Sequence, residues 1–181
     1  SMKRPFENFG ENLGEHIKGV KIGIPKEYLV DGIQPSIKQA FEQSLQILES
    51  NGADLKEISL PLTDHSLSVY YIIAPSEASS NLARYDGVKY GISIQNARNS
   101  VESTFLTRGQ GFGQEVKRRI LLGTYALSAG YYDAYYSKAQ KVRTLIRQEF
   151  SAAFETFDVL VTPTAPTTAF GLGTKIGDPY E

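Results

Sequence analysis

Two apolar runs, each closed by proline and separated by an amphipathic stretch, set the strongest limit on how this chain can fold. VKIGIP at residues 20–25 is a β-branched run ending at Pro25, and ADLKEISLP at 53–61 sets Leu55, Ile58 and Leu60 against charge before Pro61. Between them Pro35 stands where a first helical turn begins, and Ile37, Phe41, Leu45 and Leu48 recur at helical spacing. Gly52 follows the last turn as a C-terminal cap. Strand, helix and strand within about 40 residues form a βαβ unit, whose crossover is right-handed and whose strands lie parallel. The expected fold class is α/β.

Downstream, SLSVYYIIAPSEASSNLAR at 66–84 reads as a helix with a bend or break near Pro75, because proline removes a helix hydrogen bond and crowds the preceding turn. Residues 85–113 are rich in Gly, Ser and Asn and read mostly as loop, with a helical turn or two. Val116, Ile120, Thr124 and Leu127 mark a helix that ends at Gly130. Tyr135, Ala139, Val142, Ile146, Phe150, Ala153 and Phe157 form the longest apolar stripe, with Lys138, Lys141, Arg143 and Arg147 off it. DVLVTPTAP at 158–166 is a last strand, broken by Pro163. The expected organisation is a tag remnant at 1–2, a linker at 3–18, a partial α/β domain at 19–167 and a loop or tail at 168–181.

Charge and composition narrow the chemistry. Nineteen basic and twenty acidic residues give a formal charge of −1, so no global field draws the chain to polyanions. The absence of cysteine excludes disulfides, thiolate metal sites and a cysteine nucleophile, and fits a reducing cytoplasm. His16 and His65 do not stand at metal-ligand spacing, so no metal site is expected. No apolar run approaches the roughly 20 residues that cross a bilayer, so no membrane partner is expected.

The local motifs of catalysis are missing. No G-x-S-x-G elbow, P-loop or G-x-G-x-x-G stands in the sequence. GQGFG at 109–113 lacks a preceding strand and reads as a flexible link. Ser79 and Ser80 in EASSN read as helix serines bonded to preceding carbonyls rather than as nucleophiles. The basic set 138–147 reads as a solvated face, and Tyr131, Tyr132, Tyr135 and Tyr136 as packing residues with hydroxyls at the rim.

Longer strings carry more information. GIPKEYL at 23–29, YYIIAPSEASSNLARYDGVKYG at 70–91, GFGQEVKRRILLGTYALSAGYYDAYYSKAQKVRTLI at 111–146 and TPTAPTTAF at 162–170 resemble the A subunits of glutamyl-tRNA(Gln) amidotransferases, a branch of the amidase-signature family. The resemblance runs from about residue 19 to the end and implies part of an α/β fold with a mixed sheet flanked by helices. Members of this family hydrolyse glutamine with a Lys-Ser-Ser triad and release ammonia. Neither triad nor signature stands in this sequence, so the resemblance implies no catalytic residue here and an inert chain when alone.

The same resemblance implies that Tyr70 and Arg119 hold the substrate glutamine, with an aspartate that falls beyond Glu181. A planar guanidinium can take an α-carboxylate in a two-pronged hydrogen bond, and a phenol adds a donor or acceptor at fixed reach. Tyr71, one residue on, would point about 100° away on a helix. Arg118 is then expected to turn to solvent or to Glu115, one turn earlier. The implied partners are glutamine, the B and C subunits of the amidotransferase, and Glu-tRNA(Gln) reached through the complex. ATP and Mg²⁺ are used by the holoenzyme and no cofactor is held by this chain; the location is the bacterial cytoplasm or an organelle. Two other readings compete: another amidase-signature hydrolase of small amides, and a stand-alone interaction module docking protein or RNA through the basic helix 138–147.

Overall fold

In the computed structural model, residues 8, 10, 11 and 13–174 are described. The expected tag remnant and half of the 168–181 tail lie outside them. The described residues up to Pro61, together with those from Phe150 on, form one compact unit, and Leu62–Glu149 form a second.

The first unit contains the βαβ element. Strand β1 (Lys21–Pro25), helix α1 (Pro35–Ser50) and strand β2 (Asp54–Ile58) follow in order, and β1 pairs parallel to β2 with Lys21 beside Asp54 and Pro25 beside Ile58. Ile37, Phe41, Leu45 and Leu48 are the half-buried positions of α1, and the rest of the helix is exposed, so the periodic stripe is the packed face.

The end of α1 shows why glycine stands at position 52. The Ala53 N–H donates to the Leu48 carbonyl at 3.2 Å and the Gly52 N–H to the Glu49 carbonyl at 2.9 Å, the paired bonds of a Schellman turn. Gly52 has φ of +88°, and a Cβ there would stand 3.3 Å from the Lys18 Cα. Gly52→Ala is expected to lower stability by about 1–2 kcal/mol through left-handed strain. An unchanged urea midpoint would show that this turn does not need glycine.

The last strand, β3 (Val159–Leu160), pairs parallel with β1 on its other side, giving the order β2-β1-β3. All pairings among the described residues are parallel, and no antiparallel pair of the expected mixed sheet falls among them. The strand is also shorter than 158–166. After the Val161 N–H donates to the Gly23 carbonyl at 3.0 Å, Pro163 and Pro166 have no N–H to extend the ladder. Ile22, Pro25, Ala53, Leu60 and Phe157 form the buried centre of this unit. Gly23 keeps that centre close, since a Cβ there would meet the Leu160 side chain at 2.7 Å.

The second unit is helical. Helix α2 (Ser66–Leu82) runs unbroken through Pro75, so the expected break is absent. Pro75 is buried, and Ser76 Oγ, one residue on, donates to the Ile72 carbonyl at 2.7 Å, adding a bond within the turn that proline weakens.

Residues 100–111, expected as loop with a turn or two, form a full helix, α3 (Ser100–Gly111). Its start is built by Asn99, whose side chain accepts from the Glu102 N–H at 2.9 Å, while the Glu102 carboxylate reaches back to accept from the Arg98 N–H at 2.7 Å. The Asn99 cap, with Glu102 bonding the N–H one residue before it rather than that of the cap itself, outweighs the local glycines.

Helix α4 (Gln114–Leu127) follows, and Gly130, with φ of +88°, lies in the turn after it. Tyr132–Ser137 form a π-helical turn that leads into α5 (Lys138–Phe154). Along α5, Ala139 is buried and Val142, Ile146, Phe150 and Ala153 are half-buried, as the stripe predicts. No helix among the described residues is long and apolar enough to cross a membrane.

Candidate functional site

The close approach of α2 and α4 creates the site. Gly123 of α4 lies directly against the α2 backbone, so that a Cβ added there would stand 1.9 Å from the Pro75 carbonyl oxygen and 2.8 Å from the Ser76 nitrogen. Ser76, Ser79, Gly123 and Ala126 are all buried in this contact. Small residues let two helix backbones meet and carry the packing here. The innermost residues of α4 are therefore Gly123 and Ala126, while Thr124, counted in the apolar stripe, is exposed and returns its hydroxyl to the Ile120 carbonyl at 2.7 Å.

One turn back toward the N-terminus of each helix, the same approach brings two polar side chains together. Arg119 Nη1 of α4 donates to Tyr70 Oη of α2 at 3.0 Å, joining residues 49 positions apart in sequence. The neighbouring Tyr71 ring packs edge-on against Tyr70, with centroids 5.4 Å apart.

Glu115, in the first turn of α4, sits where a carboxylate complements the helix dipole. The spacing i, i+3, i+4 then sets Arg118 and Arg119 on its face. Arg118 donates to Glu115 through Nε and Nη2, both at 2.8 Å, as expected for that pair. Arg119 Nε also donates to Glu115 Oε1 at 2.8 Å, so this carboxylate holds both arginines and not Arg118 alone. The i+4 spacing was the available signal for the second arginine.

The electrostatics follow from these contacts. Hydrogen bonds from Arg118 and then Arg119 hold the Glu115 carboxyl down at about 2. That value lies below the ordinary 4.5, so the contribution of the cluster is full above about pH 4.5 and fades as the pH falls toward 2. The Arg119 guanidinium is raised, chiefly by Glu115 and then by Tyr70. Its side chain keeps 39% of its exposure and Tyr70 keeps 46%, so a small solute can reach both. Beside Tyr70 a cleft of about 370 Å³ opens, lined also by Ser66, Val69, Ile73, Glu77 and Arg143.

Other candidates take plainer roles. Ser79 is buried and its Oγ donates to the Ser76 carbonyl at 2.9 Å, as a structural helix serine does. In GQGFG, Gly111 closes α3 and Gly113 precedes α4, making a link between helices. Lys138, Lys141, Arg143 and Arg147 are exposed. Tyr131, Tyr132 and Tyr135 are exposed rather than core residues, and rings here stack on one another, with Tyr125 and Tyr131 centroids 4.4 Å apart. The hydrogen bond with Tyr131 pushes the Tyr125 hydroxyl up to about 12. Among the described residues no group of three or more His, Asp or Glu could hold a metal ion.

Comparison with known proteins shows the family of the chain. The sequence matches the Amidase family over residues 1–180. The chain belongs to the amidase family. It is 52% identical over 181 residues to the A subunit of glutamyl-tRNA(Gln) amidotransferase from Geobacter sp. strain M21, covering 100% of this chain and 37% of that protein. It is 60% identical over 167 residues to the protein of the same name from Carboxydothermus hydrogenoformans, covering 92% and 34%. The crystal structure of the corresponding A subunit from Thermotoga maritima superposes with a TM-score of 0.65 at 36% identity, over 94% of this chain and 32% of that one. A second amidase crystal structure, at 24% identity, has a TM-score of 0.66 and shares the fold. The α/β architecture, a parallel sheet with helices, is thus that of the amidase family, and the chain spans about a third of the length of the curated relatives it matches.

Proposed function

We propose that this chain is the glutamine-recognising part of an amidotransferase subunit that hydrolyses glutamine and supplies ammonia for converting Glu-tRNA(Gln) to Gln-tRNA(Gln). One observation carries the reading: the contact of Arg119 with Tyr70 at 3.0 Å across two helices, with both side chains left partly exposed. The names of relatives more than 50% identical along this chain support the choice of substrate.

In this reading Arg119 takes the α-carboxylate of glutamine through its Nη donors, and the Tyr70 hydroxyl holds the guanidinium plane or bonds the substrate directly. Binding energy at the α-carbon end fixes where the side-chain amide lies, which is how a residue remote from the scissile bond aids its cleavage. The amide itself is cleaved by the Lys-Ser-Ser triad, outside this chain, consuming one water and giving glutamate and ammonia. The B subunit then uses ATP, Mg²⁺ and ammonia on the glutamyl-tRNA, the C subunit holds the pair together, and the assembly works in the cytoplasm or an organelle.

The test is substrate choice. The full-length protein is expected to prefer glutamine over γ-aminobutyramide, which keeps the amide and amine but lacks the α-carboxylate, by at least about 100-fold in kcat/KM. Equal turnover of the two amides would remove the glutamine reading and favour a general small-amide hydrolase.

A further inference from the structure

The carboxylate of Glu115 stands at the centre of a continuous chain of hydrogen bonds. Arg118 grips it with two donors, Arg119 Nε binds Oε1, and Arg119 Nη1 continues to Tyr70 Oη. We propose that Glu115 is a positioning residue for glutamine recognition: by fixing the Nε edge of Arg119, it aims the Nη edge at the substrate carboxylate. This rests on the clamp reading of Arg119 given above.

The geometry supports it in three ways. First, an arginine side chain that is partly exposed has many rotamers, and ordering them on binding weakens the complex. Two fixed points at 2.8 Å and 3.0 Å, on different guanidinium nitrogens, restrain the plane before the ligand arrives. Second, Glu115 uses the Nε donor and spares Nη2, so it does not occupy the group a carboxylate ligand needs. Third, Glu115 is itself held. The two-pronged grip of Arg118, three residues on, keeps the carboxylate from following Arg119 or swinging to solvent.

The adjacent arginines thereby divide the work: Arg118 braces the carboxylate and Arg119 is aimed by it. An ordinary pair on a helix surface would stabilise the helix slightly and leave ligand binding unaffected. The two roles are therefore separable by experiment.

In the full-length protein, Glu115→Ala is expected to raise the glutamine KM about tenfold while kcat stays within about twofold. The preference for glutamine over γ-aminobutyramide should fall by the same factor, since only the ligand with an α-carboxylate uses the aimed edge. Glu115→Gln, which keeps one acceptor oxygen, should lie between wild type and Glu115→Ala. If Glu115→Ala leaves KM and preference unchanged while Arg119→Ala abolishes the preference, the clamp stands and the positioning role is overturned. If Arg119→Ala also keeps the preference, the clamp reading falls and this inference falls with it.

Discussion

Replacing Arg119 with alanine in the full-length protein is expected to raise the KM for glutamine by about 100-fold, the loss of a two-pronged, charge-assisted contact in a partly exposed site. The kcat should fall less than KM rises, because the bond that breaks lies at the other end of the substrate. Folding should survive. The side chain is 39% exposed and its partner Glu115 keeps the two-pronged contact with Arg118, so the melting temperature should stay within about 2 °C. Arg119→Lys should recover little, since an ammonium cannot span both carboxylate oxygens and Tyr70 from one plane. An unchanged KM in Arg119→Ala would show that Arg119 only decorates the helix.

The second large effect concerns stability. Gly123→Ala is expected to destabilise the protein by about 3 kcal/mol, because α2 and α4 must separate to admit a methyl group. The clash is with backbone, 1.9 Å from the Pro75 oxygen, and no side-chain rotation relieves it. The intrinsic helix preference of alanine over glycine offsets only roughly 1 kcal/mol. Gly109→Ala is the control: Gly109 lies within α3 and a Cβ there meets nothing within 4 Å, so the substitution should be neutral or slightly stabilising. Urea unfolding of both variants separates the clash from the general effect of adding a methyl. Since Tyr70 and Arg119 lie one turn from this contact, Gly123→Ala should also weaken glutamine binding.

Some residues report their surroundings in the sequence and others do not. Ile37, Phe41, Leu45 and Leu48 do so, because burial of large apolar groups on one helix face leaves a period that can be counted. Pro35 and Gly52 also do, because each suits one backbone conformation better than any other. The α3 helix was legible in principle from Asn99 and Glu102, yet glycine and serine content hid it; the cap outweighed composition.

Gly123 carried no such signal. Glycine inside a helix reads as a local weakness until a second helix is seen touching it, and the stripe through Thr124 missed the contact by one position. For the same reason the choice between Arg118 and Arg119 lay beyond spacing: both stand within one turn of Glu115, and resemblance alone selected Arg119.

By itself, then, the sequence determined the βαβ unit, the helix faces of α1 and α5 and the absence of any local catalytic motif, because each follows from short-range period or residue chemistry. Only the tertiary structure decided that the Tyr70 hydroxyl meets Arg119, and that Glu115 holds both arginines. Those contacts depend on how closely and in what register α2 lies on α4, which is set by small residues whose effect appears only when the backbones touch.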